Sequence, residues 1–195
     1  MNKNSLMKLI LMGGLAGLSA SLSAAGPTPA MLSGTCAGCH GSDGSSVAIT
    51  PSIAGHSDEY FVDTMQAFKS GERRSTVMGR IAKGYSDAEI AAMAGYFAKF
   101  PMTPMQQSFD PAKASKGAKL HEESCEKCHE EGGKLADDGA PLAGQSMLYL
   151  KYSMEDFQAG ARDMPKKMKK KVKKLVDAHG QAGLDAVIHY YGSQQ

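Results

Sequence analysis

A Cys-x-x-Cys-His pentapeptide occurs twice in this chain, as Cys36-Ala37-Gly38-Cys39-His40 and, at an offset of 89, as Cys125-Glu126-Lys127-Cys128-His129. The two pentapeptides hold all four cysteines. Cysteines three apart put both sulfurs on one side of a helical turn, and the adjoining imidazole crosses the space that they border. That is the spacing of covalent haem c attachment, in which the thiols add to the vinyl groups and the histidine becomes the proximal iron ligand. Competing uses of such cysteines each leave something over. A dithiol redox pair gives the histidine no task, twice. A zinc site receives an awkward three ligands, and a Cys and His side by side reach one tetrahedral centre poorly. A disulfide between cysteines three apart closes too small a loop to constrain the chain much. The spacing therefore predicts two covalently bound haems, one on Cys36, Cys39 and His40 and one on Cys125, Cys128 and His129.

The duplication extends past the pentapeptides. At the same offset Ala54-Gly55 matches Ala143-Gly144, and Ser57, Tyr60, Met65, Phe68, Gly71 and Arg73 match Ser146, Tyr149, Met154, Phe157, Gly160 and Arg162. Matches at 0, 3, 8 and 11 from Ser57 trace the buried face of a helix that opens on an N-capping serine. Each half is thus expected to carry a haem helix (29–40; 111–128), a loop (41–55; 130–144), a second helix (57–70; 146–159) and a last amphipathic helix. In the first half that last helix opens on the capping box Ser86-Asp87-Ala88-Glu89, runs through Phe100, and turns Ile90, Met93, Ala94 and Phe97 inward. In the second half it spans Gly183 to Tyr191. No stretch alternates as a strand does, so the fold class is all-α, a tandem of two homologous domains over residues 26–103 and 104–195.

Residues 1–25 read as an export signal. Lys3 and Lys8 precede an apolar run from Leu9 to Leu22, and Ser23-Ala24-Ala25 offers a small-residue cleavage site. The run is shorter than the roughly 20 apolar residues of a bilayer span, and no other segment suits one. Export places the cysteines outside the cytoplasm, which for a bacterium is the periplasm. The signal holds two of the 22 Lys and Arg and none of the 20 Asp and Glu, leaving residues 26–195 near neutrality. Nucleic acid and anionic membrane are therefore not the implied partners. One charge run stands out: Lys166, Lys167, Lys169, Lys170, Lys171, Lys173 and Lys174, with Met168, Val172, Leu175 and Val176 at helical intervals inside it. This is an amphipathic helix with a solvated basic face, or a docking surface for an acidic partner.

The sixth iron ligand decides between electron transfer and ligand chemistry, because a thioether in a dry pocket favours the ferrous state. Met78 is the expected distal ligand of the first haem, in the loop after the second helix. Met65 and Met93 lie on apolar stripes, and His56 is the competing candidate. For the second haem, one inserted residue makes Met168 the counterpart of Met78, whereas Met164 requires a deletion of three. Met168 is preferred on that count and on an expected loop context. His121 is expected to be largely exposed, and His179 and His189 to be solvated or satisfied elsewhere.

With Ala-Gly before a Tyr-bearing helix and a Met in the following loop of each half, the sequence resembles the two-haem class I cytochromes c of the bacterial periplasm. Within these, residues 70–87, Gly132-Gly133-Lys134, Arg162-Asp163-Met164-Pro165-Lys166-Lys167-Met168 and Gly183-Leu184-Asp185-Ala186 are similar to the cytochrome subunits of flavocytochrome c sulfide dehydrogenases. The resemblance implies an electron-transfer subunit beside a separate FAD-containing subunit that oxidises sulfide, passing electrons to a soluble acceptor such as a small cytochrome c. It places no substrate-oxidising site on this chain, and the sequence carries no Gly-x-Gly-x-x-Gly after a strand that would bind FAD here. The alternatives are a free two-haem electron shuttle and, less fitting, a haem enzyme with an open iron position.

Overall fold

The computed structural model describes residues 26–135 and 139–195, so the expected export signal lies outside the described residues. Every regular element among the described residues is helical. The first half comprises α1 (Pro29–Gly34), α2 (Ala37–His40), α3 (Asp58–Ser70), α4 (Met78–Ile81) with a 3-10 turn at Ala82–Gly84, and α5 (Asp87–Phe97). The second comprises α6 (Pro111–Ser124), α7 (Glu130–Gly133), α8 (Met147–Ala159) and α9 (Lys166–Gly192). None is long and apolar enough to cross a membrane.

Local chemistry sets these boundaries. The Ser57 and Ser146 hydroxyls accept from the amides of Tyr60 and Tyr149, capping α3 and α8 at equivalent positions. Gly71 and Gly160 end the same helices in the left-handed conformation, at φ 87° and 72°. Ser86 and Glu89 close a reciprocal capping box at α5, and the Asp110 carboxylate caps α6 ahead of Pro111 at N1. Each half has its own core. Ile90, Met93, Ala94 and Phe97 of α5 meet Leu32, Phe61 and Met65. Leu184, Val187, Ile188 and Tyr191 of α9 meet Leu120, Leu150 and Leu175. Each large aliphatic or aromatic side chain so buried contributes about 1.5–3 kcal/mol before entropy is counted.

The structure departs from the sequence expectations at several points. The two haem helices are broken. A turn at Thr35-Cys36 divides α1 from α2, and α6 ends at Ser124, one residue before Cys125. The helix expected to reach Phe100 stops at Phe97, ahead of Pro101. The lysine run and the last helix form one 27-residue element interrupted at Gly180, where φ 65° and ψ −173° break the helical path. Met168 accordingly lies in the first turn of α9 rather than in a loop. His121 is not exposed at all; it is 2% accessible.

The linker, residues 98–110, is tied to both halves: the Thr103 amide donates to the Ser45 hydroxyl (3.0 Å) and Phe100 packs on Tyr96 in the first, while residues 105–107 bond to the second. Met105 is buried, its amide donates to the Gly144 carbonyl (2.8 Å), and the Gln107 side chain bonds to the backbone of Gln145 and Met147.

Candidate haem-binding sites

In the first half the turn at Thr35-Cys36 packs Cys36 against the core while Cys39 stays exposed, and both thiols are free. Burial pushes the Cys36 thiol up, against the Thr35 hydroxyl beside it. His40 is buried, and its Nδ1 donates to the Pro51 carbonyl (2.7 Å). That bond fixes the tautomer and leaves Nε2 as the lone-pair donor available to a metal. Burial holds the imidazole below its ordinary range, partly offset by the Pro51 carbonyl, so at neutral pH it is uncharged.

The second half repeats the arrangement with one difference. Cys125 packs against the core and Cys128 is exposed, again as free thiols. Burial raises the Cys125 thiol to about 11. His129 is held low by burial and by His121, but its buried Nδ1 finds no partner among the described residues. Behind it lies a network that sequence reasoning missed. His121 Nε2 donates to the Glu126 carboxylate and the Tyr191 hydroxyl donates to His121 Nδ1 (2.9 Å). Glu126 also accepts from the Gly132 amide (3.2 Å). With both ring nitrogens paired, His121 is a buried brace between α6 and the end of α9, not the exposed side chain expected.

The methionines occupy unequal settings. Met78 opens α4, half-buried and packed against the first core, with its amide bonded to the Ser75 hydroxyl (2.8 Å). Met168 is half-buried in the first turn of α9, and Met164 is half-buried in the preceding coil. Met65 and Met93 are core, as expected. His179 is exposed, and His189 Nδ1 accepts from the Asp110 amide (3.0 Å).

Between the halves runs a polar seam built from duplicated residues. Arg73 Nη2 donates to the Tyr149 hydroxyl (3.2 Å), and Arg162 Nη2 donates to the Tyr60 hydroxyl (2.9 Å). Each guanidinium also stacks on a phenylalanine of its own half, Arg73 on Phe68 (4.6 Å) and Arg162 on Phe157 (4.2 Å). Burial pushes the Tyr149 hydroxyl up, but Arg73 and Arg162 overcome this and hold it below the ordinary tyrosine range. The Gln145 side chain exchanges two hydrogen bonds with the buried backbone of Ser52 (2.9 and 3.0 Å). His56 stands where the duplicate has Gln145, edge-on to Tyr60. Its Nε2 is buried without a partner among the described residues, and burial, then the charges of His40 and Arg73, lower its pKa to about 4.

Free thiols beside apolar cores, neutral imidazoles, the Met78 thioether against the first core and buried polar atoms with no partner among the described residues form a donor set that suits a covalently attached haem in each half. The comparisons with known proteins agree. The family described as Cytochrome c matches residues 27–100, and Cytochrome C oxidase, cbb3-type, subunit III matches residues 112–190. The chain is 55% identical to the cytochrome subunit of sulfide dehydrogenase of Chlorobaculum tepidum over 67 residues, which are 34% of this chain and 61% of that relative. It is 34% identical to cytochrome c4 of Pseudomonas aeruginosa over 175 residues, covering 83% of this chain and 84% of the relative. Reduced recombinant cytochrome c4 from Pseudomonas stutzeri superposes with a TM-score of 0.73 at 24% identity, over 86% of this chain and 97% of that one, a likeness of fold. With cytochrome c families matching both halves and a cytochrome c4 matched over most of its length, the chain belongs to the dihaem class I cytochromes c, electron-transfer proteins of two helical domains.

Proposed function

We propose that this chain is the periplasmic cytochrome subunit of a flavocytochrome c sulfide dehydrogenase, with domains at residues 26–103 and 104–195 following an export signal. Cys36 and Cys39 hold the first haem c and Cys125 and Cys128 the second. His40 and His129 are the proximal iron ligands, and Met78 and Met168 the distal ones. When bound, each haem supplies a one-electron ferric/ferrous couple. His40 with Met78, and His129 with Met168, would hold the two irons, so that charge passes and no substrate binds.

The observation that carries the sulfide reading is the 55% identity to a sulfide dehydrogenase cytochrome subunit, well above the identity to the cytochrome c4 relative. Hydrosulfide releases two electrons and a proton on going to sulfur, one electron for each domain. That oxidation belongs to an FAD-containing partner subunit, and the electrons leave for a soluble acceptor. A second reading, a free two-haem shuttle, is favoured by coverage: the cytochrome c4 match spans 84% of its relative and the sulfide dehydrogenase match 61%.

Purification of the tagged chain from its native host separates the two. A stoichiometric flavoprotein, with visible bands of the cytochrome reduced on adding sulfide, is the expected result. A cytochrome that purifies alone and is not reduced by sulfide supports the shuttle.

A further inference from the structure

The duplication supplies an internal control for surface features. The largest departure of the second domain from the first is the segment that begins α9. Its seven lysines, Lys166, Lys167, Lys169, Lys170, Lys171, Lys173 and Lys174, are all exposed. Val172 is half-buried, while Leu175 and Val176 join the second core and anchor the segment along that domain. Among the described residues only Lys173 has an acidic partner, Asp177 at 2.6 Å. Six of the seven ammonium groups are thus presented on the helix with no internal ion pair among the described residues. Leu175, on the inner side of the same helix, shares one core with Cys125. The basic face therefore belongs to a helix packed on the core that holds the thiol proposed to carry the second haem.

The first domain offers nothing comparable. Beside Met78 its exposed side chains mix the apolar Val77 and Ile81, at 54% and 41% accessibility, with three cations, Arg74, Arg80 and Lys83, spread over ten residues. Apolar surface suits a lasting contact, whereas concentrated like charge suits fast, salt-sensitive encounter. A chain near neutrality overall gains nothing in solubility from seven clustered lysines, and their mutual repulsion costs stability unless an anionic surface compensates it.

We propose that the lysine face at the start of α9 is the docking surface for an acidic protein that exchanges electrons with the second domain. The inference rests on the electron-transfer reading of the chain and is independent of whether a flavoprotein is the donor. The partner is recognised by carboxylates spread over a few helical turns, in a transient complex that dissolves as salt rises.

The test uses the mature holo-protein and poly-L-glutamate as the probe, with binding followed by calorimetry at low salt. Two variants carry the same change in net charge: Lys170→Glu/Lys171→Glu/Lys174→Glu on the proposed face, and Arg74→Glu/Lys83→Glu/Lys99→Glu on exposed positions of the first domain. The first is expected to weaken binding about tenfold or more and the second about twofold or less, with the wild-type affinity falling steeply toward physiological salt. Equal losses in both variants, or no loss in the first, overturn the proposal. A parallel arm offers vesicles of anionic phospholipid. Capture by vesicles in preference to the polypeptide assigns the face to a lipid surface and also overturns it. A visible spectrum unchanged in both variants establishes that haem loading is intact, and the sulfide test above fails or succeeds separately.

Discussion

Arg73 of the first domain hydrogen-bonds the hydroxyl of Tyr149 in the second, and the duplicate pair is crossed in the opposite sense, Arg162 to Tyr60. Each arginine keeps its aromatic stacking partner at home and sends its donor abroad. The seam is therefore closed by two equivalent bonds about an internal two-fold, with the Gln145–Ser52 pair as a third tie. A hydrogen bond to a half-buried guanidinium contributes about 1–2 kcal/mol. In thermal unfolding, Tyr149→Phe and Arg73→Leu should each destabilise by about that much, with a coupling energy near 1 kcal/mol in the double variant. Strict additivity of the two changes would mean that the contact does not hold the domains together.

His56 should make stability depend on pH. Its folded pKa of about 4 lies below the unfolded value of 6.5, so the unfolded chain takes up the proton first. Its contribution is complete above about pH 6.5 and is lost as pH falls toward 4, by roughly 3 kcal/mol at most. Replacing it with glutamine, the residue at the duplicate position, should flatten that part of the acid-unfolding profile. A His56→Gln profile parallel to wild type between pH 7 and 4 would show that the imidazole is not held neutral.

Gly117 lies where α6 crosses the end of α9, and a Cβ there would collide with the Ala186 carbonyl oxygen. Alanine normally stabilises a helix interior by about 1 kcal/mol over glycine. Here the backbone of one helix would have to retreat from the other, so Gly117→Ala should destabilise the second domain by about 2 kcal/mol or more. Denaturant unfolding that shows a gain would contradict the close crossing. Gly34→Ala, where no atom lies within 4 Å of the added carbon, is the control.

The ferric near-infrared band of methionine-ligated haem tests the distal assignments. Met78→Ala and Met168→Ala should each remove about half of its intensity, and Met164→Ala should leave it whole. A loss on replacing Met164 instead would move the second ligand four residues upstream, into the coil before α9.

Much of this architecture was legible because it is local. Ser57 and Ser146, Gly71 and Gly160, and Ser86 with Glu89 announce helix ends through side chains that act within four residues of themselves. The inward stripe of α5 followed from periodicity alone. The crossed arginines were visible only as matched letters, since nothing in a repeat says whether Arg73 bonds within its own half or across to the other. His121 misled for a related reason: its partner Tyr191 lies 70 residues away, so a polar side chain on a charged helix read as solvated. Met168 falls in a helix and not in the expected loop because α9 begins directly after Pro165.

The mass of the intact mature polypeptide tests the central claim most directly. Two covalently attached haems require the mass of the mature sequence plus two haem groups, retained under denaturing conditions, with Cys36→Ala/Cys39→Ala and Cys125→Ala/Cys128→Ala each removing one. A mass with one added group, or with none, would contradict the account.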